Sequence, residues 1–228
     1  MILKEWEDLP EDMQIEAIRS YYNVLHHRKM SLCVQFIIDR VLAFLLLIVL
    51  SPVFLILAIW IKLDSNGEVF FRQERVTRYG KVFRIYKFRT MVKDAEAIGS
   101  QVTTLHDSRI TTVGRMIRAC RLDELPQLIN VLIGDMGFVG TRPEVKKYVD
   151  CYTDEMKATL LLPAGITSAA SIQYKDEDRL LQDAKDIDCA YVYEILPQKM
   201  KWNLDALKKT GVLYNFKMMF LTVWKVGS

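Results

Sequence analysis

The chain has 228 residues, 51% hydrophobic and 26% charged, with a net charge of +3. That composition excludes a disordered or collagen-like chain, and the length suits one ordinary domain or one domain plus a membrane element, large enough to fold without disulfide staples. The small net charge names no partner, and no nucleic acid is expected as one. Cys33, Cys120, Cys151 and Cys189 are spaced by 87, 31 and 38 residues with no CxxC pair, beside only three histidines, which fits a reducing compartment and no structural zinc.

Residues 1–30 read as an acidic helical extension. Pro10-Glu11-Asp12 suits a first turn, and Ile15, Ile18, Tyr22 and Leu25 recur at helical spacing. Its apolar stripe fits packing on the body of the protein or a docking face.

Val41 to Ile61 is 21 residues without a charge, bracketed by Arg40 and Lys62. A continuous helix of that length is ~31 Å long, close to the ~30 Å of bilayer hydrocarbon. It begins too late, and lacks the small-residue cleavage site, for a removable signal peptide. Ser51-Pro52 falls at its midpoint. Proline supplies no N–H and clashes with the carbonyl four residues back, while a serine hydroxyl can bond a backbone group that the break frees. A kinked span and a re-entrant helix-break-helix both follow. Arg28, Lys29 and Arg40 lie before the run, and nine Lys/Arg against three acids lie between Lys62 and Lys93. Basic flanks on both sides favour keeping both inside, but proline kinks also occur in true spans, so both topologies stay open on the residues alone.

Glu68 to Val76 and Lys81 to Arg89, joined by Thr-Arg-Tyr-Gly, are rich in aromatic and β-branched residues and predict a β-hairpin. Ile110, Val113, Ile117 and Cys120 mark the buried face of a helix, with Arg115 and Arg118 together on another face. Leu125, Leu128, Ile129 and Leu132 form a further stripe that Gly134 can end, and Pro126 fits only near its start. Asp123 is therefore expected at or beside a helix N-cap, where the dipole and Arg118 and Arg121 upstream would keep its carboxylate ionised.

An Asp-Glu pair opening a helix is most often a cap. Here Arg142 recurs downstream, in Gly140-Thr141-Arg142-Pro143-Glu144, and carboxylates among arginines beside a membrane point to phosphate chemistry. A phosphoanhydride repels an anionic nucleophile, so its cleavage needs Mg²⁺ and Arg or Lys to offset the charge. Val212 to Val226 is amphipathic. Val212, Leu213, Phe216, Met219, Phe220, Val223, Trp224 and Val226 share one half, and Asn215, Lys217, Thr222 and Lys225 the other. A helix lying in the membrane interface with its lysines near anionic lipid, and a buried core or dimer helix, both fit.

Asp39-Arg40, the apolar run with Ser51-Pro52, Phe70-Phe71-Arg72-Gln73-Glu74-Arg75 and Lys87-Phe88-Arg89-Thr90-Met91 stand in a telling order. Leu122-Asp123-Glu124-Leu125-Pro126-Gln127, Asn130 to Met136 and Gly140 to Glu144 follow. In this order and at these separations the chain resembles the bacterial sugar transferases, the monotopic polyprenyl-phosphate phosphoglycosyl transferases, from about Met30 to Gly165 and weakly beyond.

The resemblance implies a mixed α/β, mostly helical membrane-associated domain with a re-entrant helix broken at Ser51-Pro52, a short β-hairpin and interfacial amphipathic helices. Its parts are an extension at 1–30, a re-entrant helix at 31–62 and a catalytic domain at 63–228 on the cytoplasmic face of a bacterial plasma membrane. It implies transfer of a phosphosugar from a UDP-sugar to a polyprenyl phosphate, undecaprenyl phosphate in the usual case. Asp123 would be the nucleophile of a covalent intermediate, releasing UMP and starting glycan assembly, with Glu124 its partner. Asp123 and Glu124 would hold Mg²⁺, and Arg118 and Arg142 would contact the diphosphate or nucleotide. Arg75, Lys87 and Arg89 lie in matched motifs, and their charge suggests phosphate-binding or membrane-facing cations. A second copy of the chain or a downstream glycosyltransferase is a possible partner. The departures are Thr141 where the family has proline, an extra alanine and Ser168 in Pro163 to Ser168, and Phe36 in the region where an arginine is common before Asp39. Thr141 is expected to loosen the backbone before Arg142. A membrane-anchored Mg²⁺-dependent hydrolase of nucleotide-sugars or lipid diphosphates, and a non-catalytic scaffold, are the alternative readings.

Overall fold

The structure is a computed structural model and describes residues 3–93, 95, 107–174 and 186–227, the side chain of Val226 excepted. The predicted place of Val226 on the apolar half of the last helix therefore lies outside the described residues.

The N-terminal segment makes two 3₁₀ turns, Trp6–Asp8 and Glu11–Met13, before helix α1 (Glu16–His27). Pro10-Glu11-Asp12 thus opens a separate turn rather than the helix, which begins three residues after Met13. Ile18, Tyr21, Tyr22 and Leu25 of α1 share one apolar core with Ala158, Leu161, Leu204 and Leu207. The Tyr21 hydroxyl donates to Glu155 at 2.6 Å, and Arg28 donates to the Thr210 carbonyl at 2.9 Å. The extension packs on the body.

Helix α2 (Lys29–Val49) begins well before the uncharged run and is followed by α3 (Ser51–Asp64). Leu50 between them leaves helical ψ (φ −88°, ψ 0°). Pro52 cannot donate to the Ile48 carbonyl, and the Ser51 hydroxyl bonds that same oxygen at 2.8 Å, as the sequence suggests. By length and composition, α2 alone among the described helices is long and apolar enough to cross a membrane. The 14 residues of α3 reach only ~21 Å.

Both helices lie along the body. Ala43 of α2 packs with Leu128, Val131 and Phe138, and Leu57 and Ile61 of α3 with Phe88, Val113 and Ile117. Their other faces are bare: Ile37, Phe44, Ile48, Val49, Leu55 and Leu63 are more than half exposed.

The expected hairpin is present as β1 (Phe70–Val76) paired antiparallel with β2 (Val82–Phe88), in a register that sets Phe70 opposite Phe88. Tyr79 and Gly80 take positive φ in its turn. Helix α4 (Thr112–Ala119) buries Val113 and Ile117. The predicted face is shorter than expected: Ile110 precedes the helix, in a bridge with Met91, and Cys120 is exposed.

Helix α5 (Gln127–Ile133) ends at Gly134 in the left-handed conformation (φ 96°), where only glycine is unstrained. A second, parallel pair joins β3 (Met136–Val139) to β4 (Ala164–Thr167). Beyond it lie α6 (Ala169–Gln173), α7 (Leu196–Lys209) and α8 (Val212–Gly227).

Helix α8 is turned inside out relative to a soluble helix. Asn215 is buried and the Thr222 hydroxyl bonds that of Thr167 at 2.7 Å, while Leu213, Phe216, Phe220, Val223 and Trp224 are 47–87% exposed. A buried core helix is thereby excluded. Lys225 also turns inward, donating to the Ile172 carbonyl at 2.7 Å, whereas Lys217 is exposed. Of the two lysines expected near lipid, only Lys217 points outward.

Candidate active site

Asp123 lies in a 3₁₀ turn, Leu122–Glu124, between α4 and α5, not at the helix N-cap that its spacing suggests. Pro126 fixes the reason: it stands at the N-cap of α5, so the helix starts behind the acidic pair. Upstream, Arg121 turns the chain sharply with φ 57°, a left-handed conformation that costs a non-glycine residue about 1 kcal/mol or more. Its presence here fits a turn held by its surroundings.

Glu124 is the centre of the charge arrangement. Lys87 Nζ is 3.4 Å from its Oε1, Arg142 Nη1 donates to Oε2 at 3.3 Å, and Arg142 Nη2 bonds Oε1. Burial disfavours the charged form of Glu124, yet Arg142 and Lys87 outweigh it and hold the carboxyl well below its ordinary range. Asp123, 7% exposed, is shifted the other way. Its burial raises it, Lys87 draws it down, the Glu124 charge pushes it further up, and Arg118 and Arg142 oppose that. Burial, more than position at a helix end, sets the direction of the Asp123 shift.

The fold assembles these groups from distant segments. Asn130 of α5, fully buried, accepts from the Tyr86 amide at 2.8 Å and donates to the Arg84 carbonyl at 3.0 Å. That clamp fixes β2, and with it Lys87, against the helix that follows the acidic turn. Arg142 is delivered by β4: the Gly140 amide bonds the Thr167 carbonyl at 3.0 Å, and the Gly165 amide bonds the Thr141 carbonyl at 2.9 Å. A Cβ on Gly165 would lie 2.1 Å from the Gly140 nitrogen, so the two backbones meet where side chains cannot. The backbone before Arg142 is held on both sides of Thr141, contrary to the loosening expected there. Ser168 has a local role, capping α6 by accepting from the Ser171 amide at 2.9 Å.

The remaining expected cations separate. Arg118, at the end of α4, acts on Asp123 through its charge. Arg75 is half-buried and donates to the Pro143 carbonyl at 3.4 Å. Arg89 does not join the cluster. It reaches the Ser65 carbonyl at 2.6 Å and the Ile61 carbonyl at 3.4 Å, closing the C-terminal end of α3. Sequence reasoning misses the buried triad beneath Arg142, in which Tyr191 donates to Glu144 at 2.5 Å, and Lys199 lies 2.9 Å from the Tyr191 oxygen and 3.5 Å from Glu144. Glu144 stands in a singled-out motif, but its partners lie 47 and 55 residues away with no local signal.

A cavity of about 390 Å³ opens on this cluster. Arg121, Glu124 and Leu125 line it, so the turn that carries Asp123 forms one wall. Much of the rest is apolar: Leu46 and Leu50 at the end of α2, Leu128, Phe138, Ile166 and Ile172. Asp123 and Glu124 are adjacent hard oxygen donors that fit Mg²⁺ when substrate phosphates complete its shell. No group of three His, Cys, Asp or Glu side chains suited to a metal occurs among the described residues.

The family model described as bacterial sugar transferase matches residues 30–228. A UDP-glucose:undecaprenyl-phosphate glucose-1-phosphate transferase of Escherichia coli K12 is 35% identical over 192 residues, which is 82% of this chain and 39% of that protein. An enzyme of the same name from Caulobacter vibrioides is 33% identical over 190 residues, 82% of this chain and 67% of the relative. A UDP-N-acetylgalactosamine-undecaprenyl-phosphate N-acetylgalactosaminephosphotransferase of Aeromonas hydrophila is 48% identical over 106 residues, 46% of this chain and 25% of the relative. The chain thus spans well under half the length of two of these three relatives.

Proposed function

Because this chain belongs to the bacterial sugar transferase family, we propose that it is a UDP-sugar:polyprenyl-phosphate sugar-1-phosphate transferase, with undecaprenyl phosphate as acceptor, on the cytoplasmic face of a bacterial plasma membrane. The observation that carries the reading is the acidic turn at 122–124. Two cations converge on Glu124, and the turn forms a wall of a cavity whose apolar lining reaches the break between α2 and α3. A diphosphate and a hydrocarbon chain need such a meeting of charge and apolar surface.

In the first half-reaction an Asp123 carboxylate oxygen attacks the sugar-linked phosphorus. The P–O bond to UMP breaks and its electron pair leaves on UMP. An oxygen of the lipid phosphate then attacks the same phosphorus, the aspartyl P–O bond breaks, and the pair returns to the carboxylate, giving a polyprenyl-diphosphate sugar. A covalent relay lets a soluble donor and a lipid acceptor use one interfacial site in turn. Lys87 and Arg142 offset the donor's charge, and a diphosphate competes with Glu124 for them. Asp123 and Glu124 would hold Mg²⁺, which supplies further neutralising charge when bound. Relatives of comparable identity carry names for glucose and for N-acetylgalactosamine, so the donor is proposed only as a UDP-sugar.

The packing of α1 supports a monotopic arrangement. α1 precedes the apolar helices and α7 follows them, yet both contribute to one core. A single crossing would put ~30 Å of hydrocarbon between them, whereas a pair bent at Ser51-Pro52 enters and leaves by one face. The exposed apolar faces of α2, α3 and α8 supply the membrane-seeking surface.

Asp123→Asn tests the nucleophile. UMP release is expected to disappear with thermal unfolding little changed, and mass spectrometry of the unmodified chain quenched with donor alone is expected to show a phosphosugar adduct. Undiminished turnover in the variant would overturn the assignment.

A further inference from the structure

The inward turn of Lys225 joins the C-terminal helix to the cavity. Among the described residues, four charged side chains line it: Arg121, Glu124, Arg142 and Lys225. Arg121, Arg142 and Lys225 bring cationic groups to this lining, the chemistry that attracts a phosphomonoester, which carries nearly two negative charges at neutral pH. Lys225 belongs to a helix whose position is fixed by polar contacts on its inner face. Thr222, one turn earlier, also lines the cavity and bonds Thr167, and Lys225 donates to the end of α6 at Ile172.

The cavity lies between two membrane-seeking elements. Leu46 and Leu50 reach it from the end of α2, Thr222 and Lys225 from α8. On their outer faces these same helix ends expose Ile48 and Val49, and Phe220, Val223 and Trp224. A hydrocarbon chain held by the outer surface therefore has its anionic end beside a lysine on one flank and the acidic turn on the other. The apolar lining of Leu46, Leu50, Ile166 and Ile172 suits the hydrocarbon end of a lipid acceptor.

We propose that Lys225 is a binding residue for the phosphate of the lipid acceptor, so that α8 is part of the acceptor site as well as a membrane-seeking helix. This rests on the transferase reading above and assigns Lys225 to the second half-reaction. The isoprenoid chain lies between α8 and the end of α2. Because the donor diphosphate offers the same phosphate chemistry, the two half-reactions have to be read separately.

The test uses the full chain in nanodiscs of phosphatidylethanolamine and phosphatidylglycerol, with the member of a UDP-sugar panel that supports turnover. Lys225→Gln is expected to keep the burst of UMP with donor alone, within about twofold, and to raise the KM for undecaprenyl phosphate by about tenfold, as expected for the loss of one charge-assisted contact. Lys225→Arg is expected to restore that KM to within about threefold, since guanidinium keeps the charge. A folding defect would abolish the burst as well, and the thermal midpoint checks it independently. An acceptor KM within about twofold of the unmodified chain overturns the proposal, as does a loss confined to the donor burst. No UMP from the unmodified chain with any donor refutes the transferase reading itself, and this inference falls with it.

Discussion

Replacing Arg142 with methionine removes the group that most firmly fixes Glu124. The guanidinium contacts both carboxylate oxygens, and Lys87 Nζ remains 3.4 Å from one of them. At an effective dielectric of about 20, unit charges at that separation attract by about 5 kcal/mol, before the cost of desolvating them is set against it. Removing one partner of a fully buried pair costs about 3–5 kcal/mol. Here the Glu124 side chain is 13% exposed and that of Arg142 31%, so water screens one side and Lys87 still serves the carboxylate. The expected loss is about 2 kcal/mol, a fall of about 4–8 °C in the midpoint for a chain of this size. Activity should fall further, by about 10²- to 10³-fold in kcat/KM, because a preorganised charge on the transferring phosphoryl group is removed. Arg142→Lys keeps the charge without the two-pronged contact, and should recover stability more fully than turnover. UMP release at saturating acceptor and thermal unfolding in the same nanodiscs measure both quantities. An Arg142→Met enzyme within about threefold of the unmodified kcat/KM would refute the reasoning, as would full rescue of turnover by lysine.

Two further outcomes follow from groups around the site. Burial disfavours the Glu144 carboxylate, but Lys199, the Tyr191 hydroxyl, Arg75 and Arg142 outweigh it and lower its pKa below the ordinary 4.5. A lowered folded-state value contributes stability above the unfolded pKa, and that contribution is lost as pH falls through the folded one. The midpoint of the unmodified chain should therefore drop more between about pH 6 and about pH 3.5 than that of Glu144→Gln; parallel slopes would contradict the assignment. For topology, epitope tags at the two termini should be digested together in inside-out vesicles and protected together in spheroplasts, because α1 and α7 share a core. Opposite behaviour of the two tags would exclude the re-entrant arrangement.

Much of this architecture is legible from local pattern. The hairpin follows from two aromatic and β-branched runs around Tyr79-Gly80, the break from Ser51-Pro52, and the end of α5 from Gly134, each a consequence of short-range sterics or hydrogen bonding. The Asp123-Glu124 pair is visible too, but its electrostatics are not. Helical spacing places Asp123 at a dipole-stabilised cap, whereas the Pro126 boundary puts it in a buried turn, where its neighbours decide its charge. Arg89 shows the same limit: a cation in a matched motif serves the end of α3, because its partners are backbone carbonyls whose position only the fold determines. Asn130 was within reach as a polar residue inside an apolar stripe, while Tyr191 and Lys199 lie too far from Glu144 in sequence for any periodicity to join them.

The inverted helix α8 sets a charged cavity lining on one of its faces and a bare apolar surface on the other. A soluble helix would present Phe220, Val223 and Trp224 to the core and send Thr222 and Lys225 to water. Here the apolar residues face outward, and the polar ones seal the cavity by bonding Thr167 and Ile172. Hydrophobic stabilisation from that face is then available only when a membrane covers it, at about 25 cal/mol per Å² removed from water. On the proposed membrane reading, the helix that presents Phe220 and Trp224 to lipid is the same one that carries Lys225 into the cavity lining on its inner face.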